Sequence, residues 1–324
     1  MNNYSTLQRF LHRSILSSQL MREIMFDVEQ SIFLKKDDNF DDEHVFVAGL
    51  ARSGTTILLN ALYQSNQFAS LTYDDMPFIL APNFWTKITP KKSHRELQER
   101  AHGDGIKIST NSPEAFEEVF WKTFADDLTN RKEFFTKFIS LILKKNNKTR
   151  YLSKNNQNIR RLDLITEIFP GSKILIPFRD PLQQSFSLFS QHKKFVKEQK
   201  KDVFVYDYMK WTGHSEFGLD YKMIHPTNLQ YSNENQFNHW LEQWYLTYKS
   251  ALDFHDEHEE CYMIGYESLC NDPKVWKSVK NLLNINHEIN FLFKGVKKDV
   301  YGPFDNELSD KCYRLYKSLV SKSV

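Results

Sequence analysis

Cysteine, long apolar runs and an excess of one charge are all scarce in this sequence. Its 324 residues include three cysteines, and this odd number, at spacings that match no zinc site, predicts reduced thiols rather than a disulfide framework. No apolar run is long enough to span a bilayer. Residues 1–35 also lack the apolar core of a secretory signal. Together these absences predict a soluble cytoplasmic protein.

Charge balance and the lack of repeats exclude further classes of protein. Forty-three basic residues accompany 41 acidic ones, and a balance this even gives no signal for a nucleic acid or a membrane surface as partner. No internal repeat is visible, and no spaced set of His, Asp and Glu side chains demands a metal ion. Hydrophobic residues form 40% of the chain, which is enough for a large core.

Short apolar runs alternate with longer amphipathic segments along the chain. The apolar runs predict strands at 44–50, 151–154, 173–178 and 261–266. The segments with helical periodicity predict helices at 5–34, after Gly54, after Ser112-Pro113-Glu114, at 131–145 and 160–169, after Pro181, and at 236–254, 273–284 and 306–322. This alternation predicts an α/β fold, in which a central parallel sheet is flanked by helices in three layers.

We expect one domain over residues 41–324, preceded by a helical extension over residues 1–40. The segment near 200–235 is rich in aromatic residues and is broken at Gly213, Gly218 and Pro226. We interpret it as an insertion within the domain.

A candidate phosphate loop follows the first predicted strand. Gly49 and Gly54 have the spacing of a Walker A loop, so the domain is expected to be P-loop-like. Thr55 stands where a nucleotidase needs lysine, which disfavours a nucleoside triphosphate as substrate. Arg52 supplies a cation earlier in the loop. Backbone N–H groups, a helix N-terminus and the hydroxyls of Ser53, Thr55 and Thr56 suit a compact anion.

A second candidate anion site follows the strand at 173–178. Arg179 provides a planar charge for phosphate, and Ser187 lies eight residues later, about two helical turns on. Ser185 and Ser190 are alternative partners if the helix is oriented differently. A salt bridge from Arg179 to Asp180 or to a neighbouring helix is the competing structural interpretation.

These motifs resemble those of the sulfotransferase superfamily. The string Arg52-Ser53-Gly54-Thr55-Thr56 resembles the family's 5′-phosphosulfate loop. Its leading arginine is similar to that of tyrosylprotein sulfotransferases and many bacterial members. Arg179 and Ser187 match the family's 3′-phosphate pair. The strings between the motifs resemble a bacterial branch of the family.

Two further motifs support the resemblance. The string Tyr266-Glu267-Ser268-Leu269, followed by Asp272-Pro273, resembles the family's Tyr-Glu element. Lys154 resembles the lysine of a Lys-x-Pro element, although Asn155-Asn156 replaces its continuation. Together the motifs cover residues 44–285 in the family's order.

The resemblance implies in-line transfer of a sulfuryl group from 3′-phosphoadenosine 5′-phosphosulfate to a hydroxyl or amine, with no metal required. It implies three catalytic residues, Arg52, Lys154 and Asp75. It also implies donor contacts from Arg52, Ser53, Gly54, Thr55, Thr56, Arg179, Ser187 and Tyr266. A P-loop kinase or nucleotidase, and a non-catalytic nucleotide-binding module, are the alternative functions.

The sequence leaves several candidates for the base that takes the acceptor's proton. In related enzymes a carboxylate follows the loop cation by about twenty residues, and Asp75 is the nearest match. Other candidates are Asp74, Glu117, Glu118, His102 and Asp104. The structural alternative for Asp74 and Asp75 is a turn before Pro77, and that for Glu117 and Glu118 is the polar face of a helix.

The acceptor itself stays open among small molecules, carbohydrates, lipids and peptides, and the sequence does not indicate an oligomeric state. Aromatic candidates for the acceptor pocket are Phe78, Phe84, Trp85, Trp121 and Trp211. Basic residues that would suit an acidic acceptor are Lys87, Lys91, Lys92 and Arg95.

Overall fold

The computed structural model describes residues 5–35, 43–89, 98–99, 107–226, 229–289, 291–295, 300 and 303–324. Its strands are β1 (Val45–Val47), β2 (Phe68–Ala69), β3 (Gln98–Glu99), β4 (Lys107–Ile108), β5 (Arg150–Lys154), β6 (Lys173–Phe178) and β7 (Cys261–Gly265). Five of them form one sheet in the order β2-β5-β1-β6-β7, and all neighbouring pairs in it are parallel. β3 and β4 form a separate antiparallel pair.

Helices surround this sheet. They are α1 (Thr6–Leu16), α2 (Gln19–Phe33), α3 (Thr55–Tyr63), α4 (Pro82–Ile88), α5 (Glu118–Thr123), α6 (Arg131–Asn146), α7 (Leu162–Ile168), α8 (Pro181–Lys201), α9 (Val203–Trp211), α10 (Phe237–Glu257), α11 (Tyr266–Asn271), α12 (Pro273–Leu282) and α13 (Asn306–Ser321). Short 3-10 turns cover Tyr73–Asp75 and Asn156–Arg160. The predicted α/β architecture with a central parallel sheet is confirmed.

β1 is the middle strand, and its position brings the predicted motifs together. Val45, Phe46 and Val47 are fully buried, as expected for a strand covered by helices on both faces. Val47 pairs with Lys154 on β5 and with Leu175 on β6. Parallel strands end at the same edge of a sheet, so the segments that follow β1, β5, β6 and β7 all emerge there.

Two local predictions are wrong. Residues 5–34 form two helices, because Ser17 ends the first and Ser18 caps the second by accepting a hydrogen bond from the Met21 N–H. Apolar periodicity runs through this break, whereas serine side chains favour helix caps. Pro113 does not begin a helix. It forms an antiparallel bridge with Thr72, and α5 begins at Glu118.

The N-terminal helices pack against the main body. Phe26 on α2 is fully buried and lies 5.2 Å, between ring centroids, from Phe124. The buried Glu29 carboxylate accepts hydrogen bonds from the backbone and side chain of Asn83 and from the Phe84 N–H.

The aromatic segment near 200–235 contains a helix, α9, that the sequence did not predict.

Within the described ranges, no helix has the length and apolarity needed to cross a membrane.

Candidate active site

The loop between β1 and α3 turns sharply through two residues with left-handed backbone. Arg52 has φ 69° and Gly54 has φ 98°, the region where glycine is the least strained residue. A Cβ atom on Gly54 would lie 2.4 Å from the Tyr266 ring. The loop therefore requires glycine here both for its backbone angle and for its contact with α11.

A cluster of buried polar side chains contacts this loop from the interior of the protein. The Gln184 side-chain amide donates to the Ala51 carbonyl at 3.1 Å and accepts from the Trp244 indole at 3.0 Å. It also contacts the Tyr248 hydroxyl, which donates to the Pro177 carbonyl. Sequence reasoning missed this cluster, because nothing local to Gln184, Trp244 or Tyr248 indicates a contact with the loop.

Arg52 and Ser187 link the two predicted anion sites. The Arg52 Nε–H donates to the Ser187 hydroxyl at 3.0 Å, although the residues lie 135 positions apart. Ser185 is fully buried and donates toward the Trp240 carbonyl. Of the two, Ser187 is therefore the serine that faces the loop cation.

The loop hydroxyls differ in what they contact. Ser53 is fully buried and donates to the Leu50 carbonyl at 2.8 Å, so it shapes the loop from within. Thr55 donates to the Asn156 side-chain oxygen at 3.3 Å. Thr56 is also buried, in the first turn of α3. The N-terminus of α3, which favours anions, begins directly after Gly54.

Arg179 lies at the end of β6 against α11. Its Nε atom is 3.5 Å from Glu267 Oε1, and its guanidinium carbon is 5.8 Å from the Tyr266 ring centroid. The salt bridge predicted as the competing interpretation therefore exists, with Glu267 as the partner. The Tyr266 hydroxyl donates to the Lys294 carbonyl, and burial raises the pKa of Tyr266.

The C-terminal helix α13 holds the acidic side chains behind Arg179. Tyr316 donates to Glu267 and Tyr313 donates to Asp180, each at 3.2 Å. Asp180 also caps α8 by accepting from the Gln183 N–H. These contacts hold in place the end of β6 and the start of α8, which carry Arg179 and Ser187.

Lys154 ends β5 beside a small polar group that includes Asn156, Glu216 and His214. The Asn156 side-chain N–H donates to Glu216 Oε1 at 3.1 Å, and His214 Nδ1 lies 3.8 Å from Glu216 Oε2. Burial alone would raise the pKa of the Glu216 carboxyl, but the interaction with His214 and the charge of Lys154 lower it to about 2. Sequence reasoning missed Glu216 because it lies in the segment interpreted as an insertion.

Asp75 is 1% exposed and engaged within its own turn. One carboxylate oxygen accepts from the Thr72 N–H and hydroxyl at 2.8 and 3.0 Å. The other pairs with Lys145 on α6. These bonds give Asp75 a structural role, and its assignment as a base stays a prediction.

The carboxylates of Glu117 and Glu118 also have structural partners. Glu117 is buried and accepts from the Trp121 indole and the Asn158 amide, so the interpretation as a polar helix face is wrong for it. Glu118 forms a two-pronged contact with Arg161 at 2.7 and 2.8 Å. At Asp74 the backbone carbonyl, and not the side-chain carboxylate, accepts from the Trp85 indole. Two remaining candidates, His102 and Asp104, lie outside the described residues.

The aromatic and basic acceptor candidates occupy several environments. Phe78 and Trp85 stack with centroids 4.5 Å apart, and Trp121 lies under the Arg161 guanidinium. Lys87 contacts the Phe33 ring. Lys91, Lys92 and Arg95 lie outside the described residues. Among the residues that the structure describes, no group of three or more His, Cys, Asp or Glu side chains is arranged to hold a metal ion.

Solved structures resemble this chain in fold. Sulfotransferase STF9 from Mycobacterium avium aligns with 98% of this chain and 79% of its own, at 13% identity and a TM-score of 0.51. Sulfotransferase STF1 from Mycobacterium tuberculosis H37Rv aligns with 95% of this chain and 81% of its own, at 14% identity and a TM-score of 0.48. The first of these supports the fold alone. Among curated proteins, no sequence matches this chain.

A family match spans the phosphate loop, the Arg179/Ser187 motif and the polar group around Lys154. The Sulfotransferase family matches residues 44–217, which is more than half of the 324 residues. By this match the chain belongs to the sulfotransferase family.

Proposed function

We propose that this protein transfers a sulfuryl group from 3′-phosphoadenosine 5′-phosphosulfate to an acceptor hydroxyl or amine. The observation that carries the proposal is the 3.0 Å contact between Arg52 and Ser187. It joins a phosphate loop to a second anion site, and a donor with phosphate groups at both ends of its ribose needs two such sites.

The chain's own residues suit that donor. Backbone N–H groups of the loop and the N-terminus of α3 would bind the 5′-phosphosulfate. Arg179 and Ser187 would bind the 3′-phosphate, because a guanidinium and a hydroxyl give charge-assisted hydrogen bonds to phosphate oxygens. The Tyr266 ring, packed between Gly54 and Arg179, would hold these two parts in register.

Arg52 and Lys154 are the cations proposed to stabilise the reaction. By analogy with phosphoryl transfer, negative charge gathers on the bridging oxygen as the bond to sulfur breaks. Fixed positive groups near that oxygen lower the barrier. Arg52 lies within the loop, and Lys154 ends the strand that pairs with β1. Neither role requires a metal ion.

Binding of the product nucleotide tests the proposal. We expect 3′-phosphoadenosine 5′-phosphate to raise the melting temperature of the protein, because a ligand that binds only the folded state stabilises it. AMP, which lacks the 3′-phosphate, should raise it much less, and magnesium ATP should give no larger shift than AMP. Equal stabilisation by AMP and the bisphosphate would contradict the 3′-phosphate site and with it the donor.

A further inference from the structure

Glu216 is linked to the phosphate loop through one intervening side chain. Its Oε1 atom accepts from the Asn156 N–H at 3.1 Å, and the Asn156 oxygen accepts from the Thr55 hydroxyl at 3.3 Å. Asn156 follows Lys154 by two residues in the turn after β5. The Glu216 carboxylate therefore stands at the edge of the sheet where the loop and Lys154 meet.

The surroundings of Glu216 form a pocket against that loop. The pocket has about 20 Å³ of open space, room for about one water molecule, and its lining includes Leu50, Ala51, Leu188, Glu216, Ile224 and Trp240. Leu50 and Ala51 precede Arg52, and Leu188 follows Ser187. Most of the lining is aliphatic or aromatic, and Glu216 and Lys222 bring charged groups to it. Mostly apolar walls with a few polar groups are the usual composition of a small-molecule site, but such sites are larger, so an acceptor must widen this pocket as it enters.

Glu216 differs from Asp75 in access. Its side chain is 11% exposed, whereas that of Asp75 is 1% exposed. Both oxygens of Asp75 are used by Thr72 and Lys145. By contrast, Glu216 Oε1 accepts from Asn156 and its Oε2 lies 3.8 Å from His214 Nδ1, beyond hydrogen-bond distance. A carboxylate that takes a proton from an incoming acceptor must be reachable by it.

We propose that Glu216, rather than Asp75, accepts the proton of the acceptor, and that the pocket beside the loop binds an apolar alcohol or phenol. This inference rests on the proposed sulfuryl transfer. In the step, an oxygen–sulfur bond forms to the acceptor and the sulfur–oxygen bond to the 5′-phosphate breaks. The electron pair of the broken bond stays on the phosphate oxygen, and the hydroxyl proton moves to the Glu216 carboxylate.

The electrostatics of the site change when the donor binds. Without it, the interaction with His214 and the charge of Lys154 hold the pKa of Glu216 at about 2, so that the carboxylate is ionised but is a weak base. The negative charges of the donor offset the charge of Lys154, and a neighbouring negative charge raises the proton affinity of a carboxylate. His214, beside Glu216 Oε2, would then steady the carboxylate's orientation.

The test uses two phenols that differ in acidity. At a pH above the pKa of p-nitrophenol, this phenol is already ionised and needs no base. At the same pH, 4-propylphenol keeps its proton. Transfer of radiolabelled sulfuryl is measured for the unaltered chain, Glu216→Gln and Asp75→Asn. We expect Glu216→Gln to lose about a hundredfold or more in rate with 4-propylphenol and less than about fivefold with p-nitrophenol. Its affinity for 3′-phosphoadenosine 5′-phosphate should not fall, because the variant removes a negative charge beside the bound phosphates, and retained binding also shows that the variant folds.

Glu242→Gln is the matched control. Glu242 is a buried glutamate that accepts two backbone N–H groups, from Gln230 and Tyr231, at 2.8 Å each. Its replacement should affect both phenols equally, as any structural change would.

Four results would overturn the inference. Equal losses with the two phenols would make Glu216 structural, and an acidity-dependent loss in Asp75→Asn instead would make Asp75 the base. A chain that binds the bisphosphate but sulfates neither phenol would refute the apolar acceptor pocket. A chain that binds no bisphosphate would refute the proposed function itself.

Discussion

At the scale of single residues, the cations of the site differ in their neighbours. Arg52 is held by a hydroxyl, and Arg179 contacts both an aromatic ring and Glu267. The Glu267 carboxylate accepts hydrogen bonds from the Asp180 N–H and the Tyr316 hydroxyl. The carboxylate beside Arg179 is thus already satisfied by other groups, which leaves it less dependent on the guanidinium.

Arg179→Ala should therefore weaken nucleotide binding without unfolding the protein. We expect affinity for 3′-phosphoadenosine 5′-phosphate to fall at least about tenfold, since a charged hydrogen bond contributes roughly 1.5–3 kcal/mol. Affinity for AMP should hardly change. Calorimetric titration measures both, with Arg314→Ala, an exposed arginine on α13, as the control. A similar loss for the two nucleotides would show that Arg179 does not recognise the 3′-phosphate.

At the scale of elements, the loop, α8 and α11 form one unit. α8 supplies Gln184 beneath the loop and Ser187 beside Arg52. α11 presents the Tyr266 ring to Gly54. A change at the point where the loop meets α11 should therefore disturb both the start of α3 and the Arg179 contact.

Gly54→Ala tests this coupling. The left-handed backbone costs an alanine about 1–2 kcal/mol, and displacing the Tyr266 ring adds roughly 1–3 kcal/mol of overpacking. We expect a lower free energy of unfolding in denaturant titrations together with weaker bisphosphate binding. Gly295→Ala is the control, because its new Cβ would meet only Cys270 atoms at ordinary distances of 3.7 Å or more. If Gly54→Ala lowered the free energy of unfolding but bound the bisphosphate as well as the unaltered chain, the packing of the loop would not be coupled to its ligand contacts.

At the scale of the whole molecule, the N-terminal helices are attached by buried contacts of two kinds. Phe26 joins an aromatic cluster with Phe120, Phe124 and Phe134. Arg22 and Glu29 make buried hydrogen bonds to Thr123 and to the start of α4. The proposed extension over residues 1–40 should therefore unfold together with the main domain.

Phe26→Ala should destabilise the entire fold by about 3–5 kcal/mol, the usual cost of removing a buried phenylalanine. Thermal unfolding should remain a single transition at a lower temperature. Phe10→Ala on α1, where the ring is 64% exposed, should shift stability by no more than about 0.5 kcal/mol. A second, separate transition in Phe26→Ala would mean that the extension folds independently.

Local patterns in the sequence were enough to predict most strands of the central sheet and the two anion sites. Apolar runs predicted four of the five strands of the sheet, β1, β5, β6 and β7, because burial on both faces leaves a continuous apolar signature. β2, only two residues long, was missed. The loop and the Arg179/Ser187 spacing predicted two anion sites, because phosphate recognition uses a few residue types at short intervals.

Only the tertiary structure decided which distant side chains meet. It paired Arg52 with Ser187, placed Gln184 under the loop, enclosed Asp75 with Lys145 and brought Glu216 to Asn156. These contacts join residues 60 to 135 positions apart, so no local periodicity encodes them. They follow from the packing of helices on the sheet, which also decides whether a carboxylate is buried in a turn or open to a pocket.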